Sequence, residues 1–149
     1  MPDFRAPADI LLVDDLPANL LALEAVLDGL GDHLVRASTG EEALRILAAR
    51  DFAVVLLDVR LPGLSGFETA SRMRATDRGR QTPVIFLTAA GDDEFPVVEA
   101  YRLGAVDYLV KPIVPEILRA KVAVFVELYR TGERLRAMER QERARADET

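Results

Sequence analysis

Five short apolar runs alternate with amphipathic stretches along the chain, and this alternation restricts the fold more than any other feature. The apolar runs predict strands at about residues 10–13, 34–37, 53–57, 84–87 and 106–110. Strands that alternate with helices build a parallel sheet with helices on both faces. The pattern therefore predicts an α/β domain with a doubly wound, five-stranded parallel sheet.

The segments between the apolar runs carry signals that are typical of helices. Pro17 suits a first helical turn, and Leu20, Leu23 and Leu27 follow it at helical spacing. We predict five helices: the first follows Pro17, the second follows the turn 38–42, the third covers about 67–75, the fourth covers about 93–103, and the fifth begins near Pro115. Residues 77–83 are predicted to be a polar connector.

Length and composition exclude several classes of protein. The 149 residues suit about one domain, and half of them are apolar, which is enough for one well-filled core. The chain has no cysteine, so neither disulfides nor thiol chemistry are expected, and we predict a cytoplasmic location. A net charge of -6 argues against direct nucleic-acid binding, and no apolar stretch suggests a membrane or export role.

Polar side chains follow four of the five predicted strands. Asp14 and Asp15 come after the first, Asp58 after the third, Thr88 after the fourth and Lys111 after the fifth. Any one of these could be an ordinary helix cap or loop residue. The carboxyl ends of parallel strands share one edge of a sheet, where ligands bind in folds of this class. The joint placement therefore predicts a functional site.

The chemistry of these residues indicates a metal and a phosphate. Three crowded carboxylates repel one another unless a cation neutralises them, and oxygen ligands favour a hard ion such as Mg²⁺. Magnesium in turn suggests a phosphorylated substrate, whose oxygens Lys111 and Thr88 could bind. Asp58 is then the central candidate for the attacking oxygen.

Four short motifs resemble the receiver domains of two-component response regulators. They are VDD at 13–15, DVRLP at 58–62, TAA at 88–90 and DYLVKP at 107–112, in the family's order and spacing. The resemblance covers about residues 9–128. It implies the flavodoxin-like strand order 2-1-3-4-5 and a role in signal transduction.

By this resemblance, Asp58 is the phosphoacceptor, and it holds Mg²⁺ together with Asp14, Asp15 and the backbone carbonyl of Arg60. The phosphodonor would be a histidine kinase or a phosphotransfer protein. The chain would have no conventional enzyme activity, but it would catalyse its own aspartyl phosphorylation and dephosphorylation. Arg60 and Ala90 stand where the family tunes dephosphorylation, and their effect here stays open.

The resemblance also implies a conformational switch. Lys111 would pair with the phosphoryl group, Thr88 would move to bond it, and Tyr108 would turn inward as Thr88 moves. These changes would alter the surface formed by the fourth helix, the fifth strand and the fifth helix. The family also implies a cis peptide bond between Lys111 and Pro112.

Other functions compete with this interpretation. A haloacid-dehalogenase phosphatase would need a second aspartate at the position of Arg60, and a flavodoxin-like FMN carrier would need a phosphate loop where Asp14 and Asp15 stand. The alternative that stays open is a receiver-like interaction or dimerisation module that works without phosphorylation.

The C-terminal segment is predicted to continue the fifth helix from Ile117 to Arg145. This segment contains a short coiled-coil-like repeat with alternating steps of four and three residues, formed by Val124, Leu128, Thr131, Leu135 and Met138. The repeat suggests a homodimer through this helix and its extension. A solvated, charge-laced helix is the other possibility. We expect an N-terminal extension at 1–8, a receiver domain at 9–128 and a connector tail at 129–149, from a multidomain protein such as a hybrid histidine kinase or a receiver-linked nucleotide cyclase.

Overall fold

A computed structural model describes residues 7–89 and 96–148 of the chain. Within these ranges strands and helices alternate as the sequence predicts. The elements are β1 (Ile10–Val13), α1 (Pro17–Leu27), β2 (Leu34–Ala37), α2 (Gly40–Ala49), β3 (Val54–Asp58), α3 (Gly66–Arg74), α4 (Asp77–Arg80), β4 (Val84–Thr88), α5 (Val97–Arg102), β5 (Ala105–Val110) and α6 (Pro115–Asp147).

The five strands form one sheet in the order β2-β1-β3-β4-β5, and every neighbouring pair is parallel. This confirms the predicted flavodoxin-like order. The register places Val13 beside Leu57, and Asp58 beside Leu87 on the next strand. The carboxyl ends of β1, β3 and β4 therefore lie side by side at one edge of the sheet.

Side chains of the central strands alternate between two apolar cores, one on each face of the sheet. Leu12, Leu56 and Ile85 pack on the face covered by α1 and α6. Val13, Leu57 and Phe86 pack on the opposite face, which α2, α3 and α5 cover. Strands that are buried on both faces explain the nearly continuous apolar runs in the sequence.

One helix was missed by the sequence-based prediction. Residues 77–83 were expected to be a polar connector, but Asp77–Arg80 form the single turn α4. The side chain of Thr76 caps this turn by accepting a hydrogen bond from the Gly79 amide at 3.0 Å. The predicted fourth and fifth helices are consequently α5 and α6. The start of the predicted fourth helix at Asp93 lies outside the described residues.

The last helix is the longest element of the described chain. Its 33 residues confirm the predicted continuation through Arg145, and Pro115 at its first turn suits the start of a helix. The inner side of α6 packs on the sheet through Leu118, Val122 and Val126, all buried. No helix among the described residues is long and apolar enough to cross a membrane.

Candidate functional site

The structure brings Asp14, Asp58, Thr88 and Lys111 together at the carboxyl edge of the sheet. Asp58 is the last residue of β3 and Thr88 the last of β4, while Asp14 and Lys111 directly follow β1 and β5. Asp14, Asp58 and Thr88 are all buried, although each carries a polar side chain. Buried polar groups require partners, so these contacts reveal the site's chemistry.

Two neighbours hold the carboxylate of Asp58. The ammonium of Lys111 donates to Oδ2 at 2.6 Å, and the backbone amide of Arg60 donates to Oδ1 at 2.9 Å. Lys111 is itself fixed at the sheet edge, because its amide donates to the carbonyl of Thr88 at 2.8 Å. The Lys111–Pro112 peptide bond is cis, as expected. Asp58 is therefore positioned by β5 as well as by its own strand.

The chain beyond Asp58 turns tightly enough to require glycine. A Cβ atom on Gly66 would lie 2.3 Å from the carbonyl oxygen of Asp58, well inside van der Waals contact. The Gly66 amide donates to the carbonyl of Val59 at 2.9 Å, which closes the loop. Helix α3 starts at this point, with Ser65 and Glu68 forming a capping box. The loop after β3 is thus closed by local contacts.

Asp14 is fully buried beside Asp58. Its Oδ1 accepts a hydrogen bond from the Leu16 amide at 2.9 Å, and Asn19 Nδ2 lies 3.2 Å from its Oδ2. The ammonium of Lys111 is 3.7 Å from Oδ2. Asn19 was not predicted as a site residue; its place in the first turn of α1, five residues after Asp14, was the signal that could have identified it.

Burial and charge act in opposite directions at this site. Burial, followed by the hydrogen bonding and negative charge of Asp58, raises the pKa of Asp14, although the Leu16 amide and Lys111 oppose the change. Burial alone would lower the pKa of Lys111, but the hydrogen bond and charge of Asp58 and the charge of Asp14 outweigh it and raise that pKa. Lys111 therefore stays charged and neutralises part of the excess negative charge.

The remaining predicted residues have different environments. Asp15 is exposed, whereas the hydroxyl of Thr88 is buried and has no hydrogen-bond partner in the part of the chain that the structure describes. Tyr108 is half-buried and packs against the core under α2, α3 and α5. Arg60 is exposed, and Ala90 lies outside the described residues. A buried hydroxyl without a partner is uncommon and fits a group that acquires one from a ligand.

The donor set suits a hard cation with few protein ligands. Asp14 and Asp58 offer neighbouring carboxylate oxygens, and burial together with the nearby charge of Asp58 raises the pKa of Asp14. Over residues 7–89 and 96–148, no three carboxylate, histidine or cysteine side chains gather into a ready metal cluster. A site with two buried carboxylates and the exposed Asp15 nearby fits Mg²⁺, which keeps several of its waters.

A cleft of about 310 Å³ opens beside these residues. Its lining includes Asp14, Asn19 and Lys111 from the site, and Leu23 and Leu118 from the helices α1 and α6. Asp14 and Lys111 therefore face a cleft on the side of the molecule where α1 and α6 meet.

Comparisons with known proteins agree with this architecture. The family model described as response regulator receiver domain matches residues 10–123. Transcriptional regulatory protein AfsQ1 of Streptomyces coelicolor is 40% identical over 125 residues, which cover 84% of this chain and 52% of that protein. Transcriptional regulatory protein SrrA of Staphylococcus aureus is 37% identical over 115 residues, or 76% of this chain and 46% of that protein. The chain thus spans about half the length of these curated relatives.

Solved structures give the same picture. A putative response regulator from Chloroflexus aurantiacus has a TM-score of 0.74 and 34% identity, over 82% of this chain and 99% of that one. The receiver domain of a sensor histidine kinase from Pseudomonas aeruginosa, with magnesium coordinated in its active-site cleft, has a TM-score of 0.72 and 32% identity over the same shares. From the family match, the fold and these similarities, we conclude that the chain belongs to the response regulator receiver domains of two-component systems.

Proposed function

We propose that this receiver domain accepts a phosphoryl group on Asp58 and changes its surface in response. The arrangement around Asp58 supports this best. Its buried carboxylate lies 2.6 Å from the Lys111 ammonium, and the neighbouring strand ends in Thr88, whose buried hydroxyl has no hydrogen-bond partner among the described residues. A carboxylate held beside a fixed cation is suited to form an acyl phosphate, since the cation stabilises the added negative charge.

The proposed reaction transfers one phosphoryl group from the phosphohistidine of a histidine kinase or a phosphotransfer protein. A carboxylate oxygen of Asp58 forms the new bond to phosphorus while the bond from phosphorus to the imidazole nitrogen breaks. The bonding electrons leave with the imidazole, which is protonated from solvent. Lys111 is within 2.6 Å of the carboxylate and would contact a phosphoryl oxygen of the product. The arrangement therefore needs no further nucleophile.

The proposed Mg²⁺ ligands are Asp14, Asp15, Asp58 and the backbone carbonyl of Arg60. When bound, Mg²⁺ supplies positive charge that offsets the phosphoryl oxygens. Asn19 orients Asp14 for this role, because its amide contacts both carboxylate oxygens at 3.2 and 3.3 Å. The uncompensated charge at Asp14 and Asp58 favours such an ion.

The response would pass from Thr88 to the surface formed by α5, β5 and α6. The buried Thr88 hydroxyl can donate a hydrogen bond to a phosphoryl oxygen, and its strand pairs with β5 up to Val110. Tyr108 lies opposite Phe86 in the same ladder and is only half-buried, so it has room to turn inward. A phosphoryl group would favour the arrangement in which Thr88 bonds it and Tyr108 turns inward.

The curated relatives suggest the wider setting. Their names describe transcriptional regulatory proteins, and this chain matches about half of each. We propose that the receiver controls a further function located outside the matched region or in a second protein. A hybrid histidine kinase or a receiver-linked nucleotide cyclase would also provide such a setting.

Acetyl phosphate with Mg²⁺ tests the phosphoacceptor role. Intact-mass measurement is expected to show one added phosphoryl group on the parent chain and none on Asp58→Asn. Asp51→Asn is the matched control, because Asp51 is exposed and precedes β3 at the opposite edge of the sheet, so this variant should be modified like the parent. An unmodified parent, or an equally modified Asp58→Asn variant, would contradict the proposal. The first result would favour the phosphorylation-independent interaction module.

A further inference from the structure

We propose that two copies of this chain associate through α6 as a parallel, in-register coiled coil. The contact surface is the α6 seam, defined as Val124, Leu128, Thr131, Leu135 and Met138. This interaction goes beyond the phosphoacceptor function and does not depend on it.

The α6 seam is an exposed apolar stripe on one side of the helix. Val124, Leu128, Leu135 and Met138 are 55%, 60%, 55% and 60% exposed. Their spacing alternates between steps of four and three residues, the repeat that keeps side chains on one side of a supercoiled helix. Single exposed apolar residues are ordinary, but four on one side of a helix over four turns, interrupted only by Thr131, mark an interaction surface.

The other side of α6 is already used by the receiver domain. Leu118, Val122 and Val126 are buried against the sheet, at positions roughly opposite the α6 seam when residues are spaced at about 100° around the helix. Further along, Arg130 forms an ion pair with Asp32 at 3.4 Å. In a two-fold pair that meets at the seam, both receiver domains therefore lie on the outside and do not collide.

The charges beside the seam favour two parallel copies. Leu128 and Leu135 occupy position a of the heptad in this arrangement. Arg134 then occupies position g and Glu139 occupies position e, the two positions that face each other between parallel chains. Arg134 of each copy then faces Glu139 of the other, which gives two pairs of opposite charge. A full antiparallel overlap would instead place Arg134 against Arg134. A shorter antiparallel overlap would pair Arg134 with Glu127, which is also favourable, but it would leave Met138 outside the contact.

The end of α6 also favours a partner helix. From Met138 to Asp147 every residue is exposed, so the receiver domain contributes no packing there. A helical segment of this length is marginally stable in water without tertiary contacts. The next core positions of the heptad are the charged residues Glu142 and Arg145, so a second copy would stabilise this segment only through the α6 seam, which ends at Met138.

Cysteine cross-linking tests the parallel register directly, because the chain has no cysteine of its own. Met138→Cys places one thiol at a position that meets itself in a parallel dimer, where the Cβ separation suits a disulfide. Mild oxidation is expected to convert most of this variant into a disulfide-linked dimer. Arg140→Cys, two residues away on the outer side of α6, is the control and should stay largely uncross-linked. Equal cross-linking of the two variants, or none at Met138→Cys, would overturn the parallel arrangement.

Charge reversal separates the parallel from the antiparallel pairing. Sedimentation analysis of the full chain at about 100 µM should show a dimer, since an association of micromolar affinity is nearly complete there. Glu139→Arg should weaken it, and Arg134→Glu combined with Glu139→Arg should restore it. If Glu139→Arg has no effect, or if the double variant is as weak as the single one, the parallel pairing is wrong.

A substitution in the seam measures its contribution. Leu135→Asp is expected to weaken the dimer at least about tenfold without changing the helix content, because it puts a charge where the dimer would bury a leucine. Leu21→Asp, on the equally exposed outer side of α1, should leave association unchanged. A parent that is monomeric at about 100 µM, or a Leu135→Asp dimer as tight as the parent, would refute association through α6.

Discussion

At the scale of single residues, the balance of charge around Asp14 and Asp58 is the central feature of the molecule. Two buried carboxylates share one ammonium, that of Lys111, which contacts Asp58 at 2.6 Å and Asp14 at 3.7 Å. One positive charge does not neutralise two negative ones. The protein therefore carries an electrostatic cost at this site whenever no cation is bound, as expected where function conflicts with stability.

Asp14→Asn is expected to stabilise the metal-free protein at neutral pH. Burial raises the pKa of Asp14 in the folded protein above its ordinary value of 3.8, so the unfolded chain loses this proton first as the pH rises. Stability from this group is therefore complete below the ordinary value and falls as the pH rises through the folded-state pKa. The asparagine oxygen can still accept the hydrogen bond from the Leu16 amide.

Thermal unfolding of Asp14→Asn and of the parent in EDTA, between pH 4 and pH 8, checks this prediction. The difference in melting temperature in favour of the variant should grow with pH. Added Mg²⁺ should then raise the melting temperature of the parent more than that of the variant. Asp28→Asn is the control, because Asp28 is exposed at the end of α1. Its melting temperature should depend on pH and Mg²⁺ as that of the parent does. A variant that is less stable than the parent throughout would show that the charge on Asp14 is not costly.

The sequence predicted which residues gather at this edge, because parallel strands align their carboxyl ends. It could not predict how they share partners. The exposure of Asp15 and the contacts of Asn19 with Asp14 depend on the angle at which α1 leaves β1. Likewise, only the packing around β4 shows that the Thr88 hydroxyl is buried with no hydrogen-bond partner among the described residues.

At the scale of elements, the first turn of α3 shows how a local signal supports the site. Ser65 Oγ accepts a hydrogen bond from the Glu68 amide at 3.1 Å, and the Glu68 side chain reaches back to the Ser65 amide at 3.4 Å. These bonds satisfy amides that a helix start leaves unpaired. They also fix Gly66 where it packs against the backbone of Asp58.

Ser65→Ala is expected to lower the free energy of unfolding by about 1 kcal/mol, the usual cost of losing a serine cap. Chemical denaturation measures this change. Ser71→Ala, in the exposed middle of α3, removes the same hydroxyl without affecting a cap and should be neutral or slightly stabilising. If the two variants have equal stability, the capping box does not contribute to the fold as we describe.

Most elements were predictable from periodicity, and the exceptions have physical causes. The single turn α4 was missed because Asp77–Arg80 have no apolar periodicity and depend on the cap from Thr76. The sequence predicted α3 one residue late, since Gly66 is a weak helix former that close packing nevertheless requires. Short elements whose stability comes from caps and contacts escape patterns based on repeated apolar residues.

At the scale of the whole molecule, we propose a boundary between a receiver unit at 9–128 and a connector tail at 129–149. The last fully buried side chain of α6 is Val126, and the contacts of Tyr129 with the core and of Arg130 with Asp32 follow it directly, whereas Leu135 and Met138 of the α6 seam lie further along. The two parts of the same helix thus have different neighbours. The boundary predicts that folding and phosphorylation are separable from association.

A chain ending after Leu128 is expected to fold, to accept one phosphoryl group from acetyl phosphate, and to be monomeric. It keeps Leu118, Val122 and Val126, which anchor α6, and loses Leu135 and Met138. Circular dichroism, intact mass and light scattering check the three expectations, with the full chain as the control. Loss of folding would place the boundary further along α6, and a persistent dimer would locate association elsewhere.

The strand order and the long last helix were predictable because they depend on patterns that extend over the whole chain. What the sequence left open was the way α6 divides its two sides between the sheet and solvent. Arg130 illustrates this: it is one of several arginines in the C-terminal segment, but only the fold shows that it reaches Asp32, far away in sequence. Long-range pairing of that kind has no local signature.

The continuity of α6 has a mechanical consequence. A straight helix of 33 residues is about 50 Å long, and this one starts four residues after Lys111, beside the site of charge change. The helix continues for about 25 Å beyond the ion pair between Arg130 and Asp32, and this free part would amplify any tilt of α6 on the sheet. A tilt of about 10° about that contact would move the far end of α6 by about 4 Å.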